Sequence, residues 1–242
     1  MATEVSAERV TTLLSEGDLT PVGLLPGASN DTFLATVSDG DLETYAVYKP
    51  RRGEAPLWDF PDGTLYLREM AAFVMSQALG WGFVPPTVIR DGTLGIGMVQ
   101  LFVDHDPAEH YLTLAPAFPD LFRRVAAFDV VINNADRKSG HCLLQRGEER
   151  IWVVDHGVTF HTSPKLRTVI WDYAGERVPD DVLADLRRLV GDLAGGGPLR
   201  EHLRTLLEDE EVNAMAARIE ALTRAATYPE PGPGRPYPWP PI

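Results

Sequence analysis

Asp136 and Asp155 constrain this 242-residue chain more than any other pair of residues. An apolar helical pattern (Leu121, Phe122, Val125, Phe128, Val131, Ile132) runs straight into the polar string Asn133-Asn134-Ala135-Asp136-Arg137-Lys138-Ser139-Gly140-His141. Two short β-type runs, Cys142–Gln145 and Ile151–Val154, flank the turn at 146–149 and deliver Asp155-His156-Gly157. The hairpin brings the chain back, so Asp136 and His141 at the ends of one loop and Asp155 at a strand end aim at one place. Gly157 lets the backbone turn away sharply. Phosphoryl transfer needs this arrangement: a carboxylate beside the attacking hydroxyl, and metal ligands from separate segments that hold a cation against the phosphates. Either Asp alone is ordinary turn chemistry. Their order and their spacing of nineteen residues carry the reading.

Upstream lie parts that suit the same chemistry. Lys49 ends the apolar strand Thr44-Tyr45-Ala46-Val47-Tyr48, and Glu69 follows twenty residues later on a helical pattern over Leu65–Leu79 that Gly80 terminates. A lysine held by a helix glutamate neutralises nucleotide phosphates through charge-assisted hydrogen bonds. Glu69 falls near the apolar stripe, which favours an inward role; Arg68 is expected to face solvent. Pro26-Gly27-Ala28-Ser29-Asn30-Asp31-Thr32 joins two strand-like runs, Pro21–Leu25 and Thr32–Val37. Gly27 allows close backbone approach to a phosphate, and Ser29 and Asn30 supply side-chain donors. The bland alternative at each position is a surface lysine, a solvated glutamate and a hairpin turn.

The rest of the chain sets the frame. Val10, Leu13 and Leu14 mark a short amphipathic helix, and Thr87–Arg90 and Gly95–Val103 read as two more strands. From Asp180 the pattern is helical, broken at 195–198. A β-rich first half and a helical second half predict an α+β, bilobal fold. The expected division is a β-rich N-lobe with one key helix over 1–103, a mainly helical C-lobe over 104–227, and a tail over 228–242. That tail has seven prolines in fifteen residues and cannot continue a helix. A loosely packed terminus is its expected state, with Tyr237 and Trp239 available to pack on the C-lobe and docking of a partner as the alternative.

Composition excludes several function classes. With 22 basic and 35 acidic residues the net charge is −13, which repels nucleic acid and gives no attraction to anionic membrane. No apolar run reaches the ~18 residues of a membrane span, and the N-terminal stretch has no signal-peptide core. A single cysteine, Cys142, excludes a disulfide framework and fits a reducing, cytoplasmic setting.

These motifs, in this order, resemble the phosphatidylinositol 3-/4-kinase-like superfamily, and within it a compact bacterial family that is little more than the kinase core. The resemblance covers roughly residues 20–175: PGASNDTF as phosphate loop, VYK, LREMAAF, NNADRKSGHCLL as catalytic loop and VVDHGVTF as metal-binding turn. It implies a protein-kinase-like fold that binds ATP between its lobes with Mg2+ or Mn2+. Lys49 would meet the phosphates and Glu69 orient it. Asp136 would be the catalytic aspartate and Lys138, where larger members carry histidine, would put a positive charge near the transferred phosphoryl. Asp155 would be the main metal ligand and His141, in the place of a usual Asn, the second; imidazole there favours manganese over magnesium. The backbone of Gln100, Leu101 and Phe102 would meet adenine.

Residues 158–170 carry only Lys165 and Arg167 as cations, too few to grip an inositol phosphate. The preferred acceptor is therefore a protein Ser/Thr hydroxyl, including autophosphorylation at Thr159, Thr162, Ser163 or Thr168. The alternatives are a lipid or small-molecule kinase, an AMP transferase on the same scaffold, and a nucleotide-binding regulatory module with little catalysis.

Overall fold

The computed structural model describes residues 5–27 and 30–242. Helix α1 (Ala7–Glu16) starts where the Ser6 side chain accepts the Arg9 N–H at 3.2 Å. Five strands follow in space: β1 (Asp18–Leu24), β2 (Phe33–Ser38), β3 (Glu43–Pro50), β4 (Thr87–Gly92) and β5 (Gly95–Leu101). They form an antiparallel sheet in the order β1-β2-β3-β5-β4. β1 begins at Asp18, earlier than the apolar run suggested, and its register shifts between Pro21 and Gly23. A small core closes under this sheet, built from Leu13 and Leu14 of α1 against Val37, Ala46, Tyr48, Val88 and Val99.

Helix α2 (Leu65–Leu79) has the bounds its periodicity predicts. Its first N–H groups are capped from a distance: the Glu54 carboxylate accepts from Leu65 N at 3.1 Å and Tyr66 N at 2.8 Å. Gly80 ends it with φ +75°, a left-handed turn that glycine adopts without strain. The apolar side of α2 does not join the small sheet core. Ala71, Ala72, Val74, Met75 and Leu79 sit in a much larger core with Phe122, Val125 and Phe128 of α4 (Pro119–Ile132). The same core takes in Leu186 of α5 (Asp180–Ala194) and Met215 of α7 (Asp209–Ala225). The short helices α3 (Tyr111–Leu114) and α6 (Pro198–Arg204) and the hairpin β6 (Cys142–Leu144)–β7 (Ile151–Val153) complete the helical half.

Polar contacts tie α2 down further. Arg68, expected at the surface, is 1% exposed: it donates to Thr159 O at 2.7 Å and pairs with Glu211 of α7 at 2.5 Å. Trp81 Nε1 donates to Asp185 at 2.9 Å, and Arg188 donates to the last carbonyls of α2, Ala78 and Leu79. The architecture is α+β, with a sheet region set on a helical region and α2 anchored in the latter. Among the described residues no helix is long and apolar enough to cross a membrane.

Candidate active site

β3 ends by carrying Lys49 into the cleft between sheet and helices. Its neighbour strand helps: at Gly97 a side chain would stand 2.4 Å from Lys49 O, so only glycine lets β5 pair this closely. Lys49 Nζ lies 2.5 Å from Glu69 Oε1 and 2.9 Å from Asp155 Oδ1. The other Glu69 oxygen accepts the His156 N–H at 2.8 Å, so one helix carboxylate fixes both the lysine and the turn that carries Asp155. Asp155 itself has φ +62°, a strained conformation for a non-glycine residue that aims its carboxylate back at Lys49. Burial opposes the Lys49 charge, but the Asp155 and Glu69 carboxylates override it and hold its pKa above the ordinary lysine value. The Lys49 ammonium in turn holds the Asp155 carboxyl well below the usual carboxylate range.

The catalytic loop hangs on a buried ion pair. Arg137 and Asp129, both side chains 0% exposed, meet through Nη2 and Oδ1 at 2.9 Å, with Nε contributing at 3.0 Å to Oδ2. The same guanidinium donates to Val154 O at 2.9 Å and to His156 Nε2 at 2.7 Å, clamping the loop to the Asp155 turn. Burial keeps His156 neutral, with its pKa far below the ordinary histidine value, as its role of acceptor from Arg137 requires. Asn134 Oδ1 accepts the Asp136 N–H at 2.9 Å and turns that residue into the cleft. There Asp136 Oδ2 lies 3.2 Å from Lys138 Nζ. Burial pushes the Asp136 carboxyl up, against the pull of Lys138.

Lys49, Glu69, Asp136, Lys138, His141 and Asp155 are thus gathered around one cleft. Within it the chain itself fixes the His141 ring, and the rest of the expected set lies outside this group. His141 lies 3.3 Å from Asp155 Oδ2, but its Nδ1 faces the Lys138 N–H at 3.3 Å. Burial brings its pKa down to about 4. A neutral ring that accepts at Nδ1 carries its proton on Nε2, the nitrogen that faces Asp155. Asn30 Oδ1 accepts the Ala55 N–H at 2.8 Å and pins the loop to the segment after β3, a contact that leaves its Nδ2 donor uncommitted. Gly27, at φ +83°, has open space around it, and Ser29 lies outside the described residues.

Gln100 sits inside the sheet, paired on both sides, with its side chain on Thr87 Oγ1 at 2.8 Å. The Leu101 and Phe102 N–H groups are taken by Pro86 O and Tyr45 O. The next N–H along, that of Val103, has no partner among the described residues, and no side-chain signal in the sequence could single it out. Thr159 and Thr168 are buried, leaving Thr162 and Ser163 as the exposed hydroxyls of this segment. Asp59, which no motif or periodicity singles out, pairs with Lys165 at 2.6 Å.

No family model matches the chain. Protein Rv2133c of Mycobacterium tuberculosis (strain ATCC 25618 / H37Rv) is 40% identical over 263 residues, covering 94% of each chain. The chain belongs to the Rv2133c family. Phosphatidylinositol 4-kinase gamma 4 of Oryza sativa subsp. japonica is 30% identical over 127 residues, 44% of this chain and 22% of the plant protein. Among solved structures, the Golgi casein kinase with Mn/ADP bound superposes with TM-score 0.60 at 14% identity, covering 90% of this chain and 74% of that one. The Helicobacter pylori proinflammatory kinase CtkA superposes with TM-score 0.55 at 12% identity, covering 89% and 94%. At these identities the likeness is one of fold, and this chain has a kinase-like fold.

Proposed function

We propose that this protein is an ATP- and divalent-cation-dependent phosphotransferase of the PI3/PI4-kinase-like type that acts on a protein Ser/Thr hydroxyl. The observation that carries the reading is the Glu69–Lys49–Asp155 chain of contacts beside Asp136 and Lys138, on a kinase-like scaffold. The lobe over 1–103 would hold the nucleotide and the lobe over 104–227 the reacting groups. Adenine would meet the Val103 N–H, and Lys49 the phosphates. The donor set suits a hard cation: Asp155 is 47% exposed and its ionised carboxylate keeps oxygen lone pairs beyond those given to Lys49 and His141. Such a cation, when bound, neutralises charge on the phosphates. His141 orients the Asp155 carboxylate from its far side.

The acceptor hydroxyl oxygen attacks the γ-phosphorus while the bond to the bridging oxygen of ADP breaks. Asp136 takes the hydroxyl proton, and Lys138 faces the negative charge of the group in transit. The plant lipid-kinase match supports the superfamily assignment. The acceptor side argues against an inositol phosphate, because Lys165 is already committed to Asp59 and only Arg167 remains. Incubation of the chain with ATP and Mg2+ or Mn2+, followed by peptide mass spectrometry, should show phosphate on Ser or Thr, with Thr162 and Ser163 the accessible sites in cis. Asp136→Asn should keep nucleotide binding and lose turnover by about 10²–10⁴-fold. Transfer of AMP, or undiminished phosphate output from the variant, would overturn the reading.

A further inference from the structure

The proline-rich tail does not hang free. Tyr228 anchors its base, donating its hydroxyl to Arg123 O at 2.8 Å and exchanging backbone hydrogen bonds with Gly175 and Glu176. Residues 230–235 then cross the surface exposed, and the chain docks again. Pro236 O accepts from Thr168 N at 3.0 Å and from Trp171 Nε1 at 3.1 Å, Pro238 is buried, and Pro241 O accepts from Ser139 N at 2.9 Å. Tyr237 and Trp239, expected to do the packing, stand 48% and 73% exposed. The prolines make the contacts because they offer carbonyls and have no N–H of their own to satisfy.

The two segments the tail grips are those that flank the acceptor position. The Arg137 N–H donates to Arg167 O and the Val169 N–H to Arg137 O, so residues 167 and 169 face the catalytic loop. Backbone alternation turns the Thr168 N–H to the opposite side, where an extended acceptor peptide would pair with it. The tail already holds that N–H. Its last contact, at Ser139, is three residues from Asp136. We propose that residues 236–242 are a tethered occupant of an extended-peptide groove along the 167–171 segment, and that the tail must leave it before a protein acceptor is phosphorylated. The acceptor consequence rests on the phosphotransferase reading; the groove and its occupant do not.

The test uses the full chain carrying Pro238→Asp, which puts a charge at the buried proline, and separately Trp171→Phe, which removes one donor to Pro236 O and leaves the ring. Amide exchange at Thr168 and Ser139 should quicken about tenfold in Pro238→Asp and less in Trp171→Phe. A labelled peptide of residues 235–242 should bind Pro238→Asp in trans and not the unmodified chain. The KM for dephosphorylated casein, used as a generic protein acceptor, should fall several-fold with the KM for ATP unchanged. Unchanged exchange, or faster exchange with no peptide binding, overturns the groove. Peptide binding without any change in casein KM overturns its link to the acceptor. If neither protein transfers phosphate, the phosphotransferase reading falls and the acceptor link with it, while exchange and peptide binding still decide the groove.

Discussion

Lys49 meets two carboxylates, at 2.5 and 2.9 Å, while Asp136 on the other side of the cleft meets one ammonium at 3.2 Å and is a third exposed. The nucleotide side is built from groups whose positions the large core dictates. Glu69 rides on α2, and α2 is held by its apolar face, by Arg68 and by Arg188. On the acceptor side, Asp136 and Lys138 project into the cleft from a loop whose framework is buried and which the chain's own tail touches at Ser139. Adjacent residues divide the labour: Arg137 is fully buried and holds the loop, whereas Lys138 faces the cleft. A kinase-like site needs its phosphate-binding groups preorganised and its acceptor groups reachable. The asymmetry meets both demands.

Arg137→Met breaks the comparison most severely. It leaves Asp129 buried and unpaired, so urea denaturation should show a loss of about 3–5 kcal/mol, with turnover lost alongside as the loop comes free of the Asp155 turn. Loss of turnover at full stability would show that Arg137 acts in the chemistry instead.

Acid should separate the two sides at intermediate cost. The Asp136 carboxyl is pushed up by burial, so it takes a proton at higher pH than an exposed aspartate and loses its capacity as a base there. Asp155 is held down by Lys49, so the stability its ion pair contributes is present above the ordinary carboxylate value of about 3.9 and is lost only as pH falls toward its lowered native value. Turnover should therefore fall on the acid side before near-UV circular dichroism reports loss of the fold. Coincident transitions would contradict the split.

Asn30→Ala sharpens the comparison most gently. It removes one side-chain contact to the Ala55 N–H and should cost about 1 kcal/mol or less, raising the KM for ATP with little change in kcat. A fall in kcat at unchanged KM would return Asn30 to the phosphates.

Much of this was legible along the chain. The bounds of α2, the order of Lys49, Glu69, Asp136 and Asp155, and the hairpin between the last two follow from periodicity and turn chemistry, which act over a few residues. Arg68 was misread because a helical repeat shows that a position lies beside the apolar stripe and not what it meets; its partner Glu211 is 143 residues away. Asn30 Oδ1 accepts a backbone N–H 25 residues away and the His141 ring is set between the Lys138 N–H and Asp155, orientations that residue type alone does not reveal. The tail's composition spoke against a helix and said nothing about where its carbonyls would land.

The linear sequence, through local pattern and residue chemistry, determined that this protein has an α+β scaffold with a lysine, a helix glutamate and two aspartates in kinase-like order. Tertiary structure decided which of those groups work and which hold others in place. It tied α2 to the helical core, turned the His141 ring toward Asp155, used up the Leu101 and Phe102 amides, and laid Pro236 against the 167–171 segment. Each of those outcomes depends on a partner distant in the chain, and burial makes such a partner decisive because an unpaired polar group there has no water to turn to.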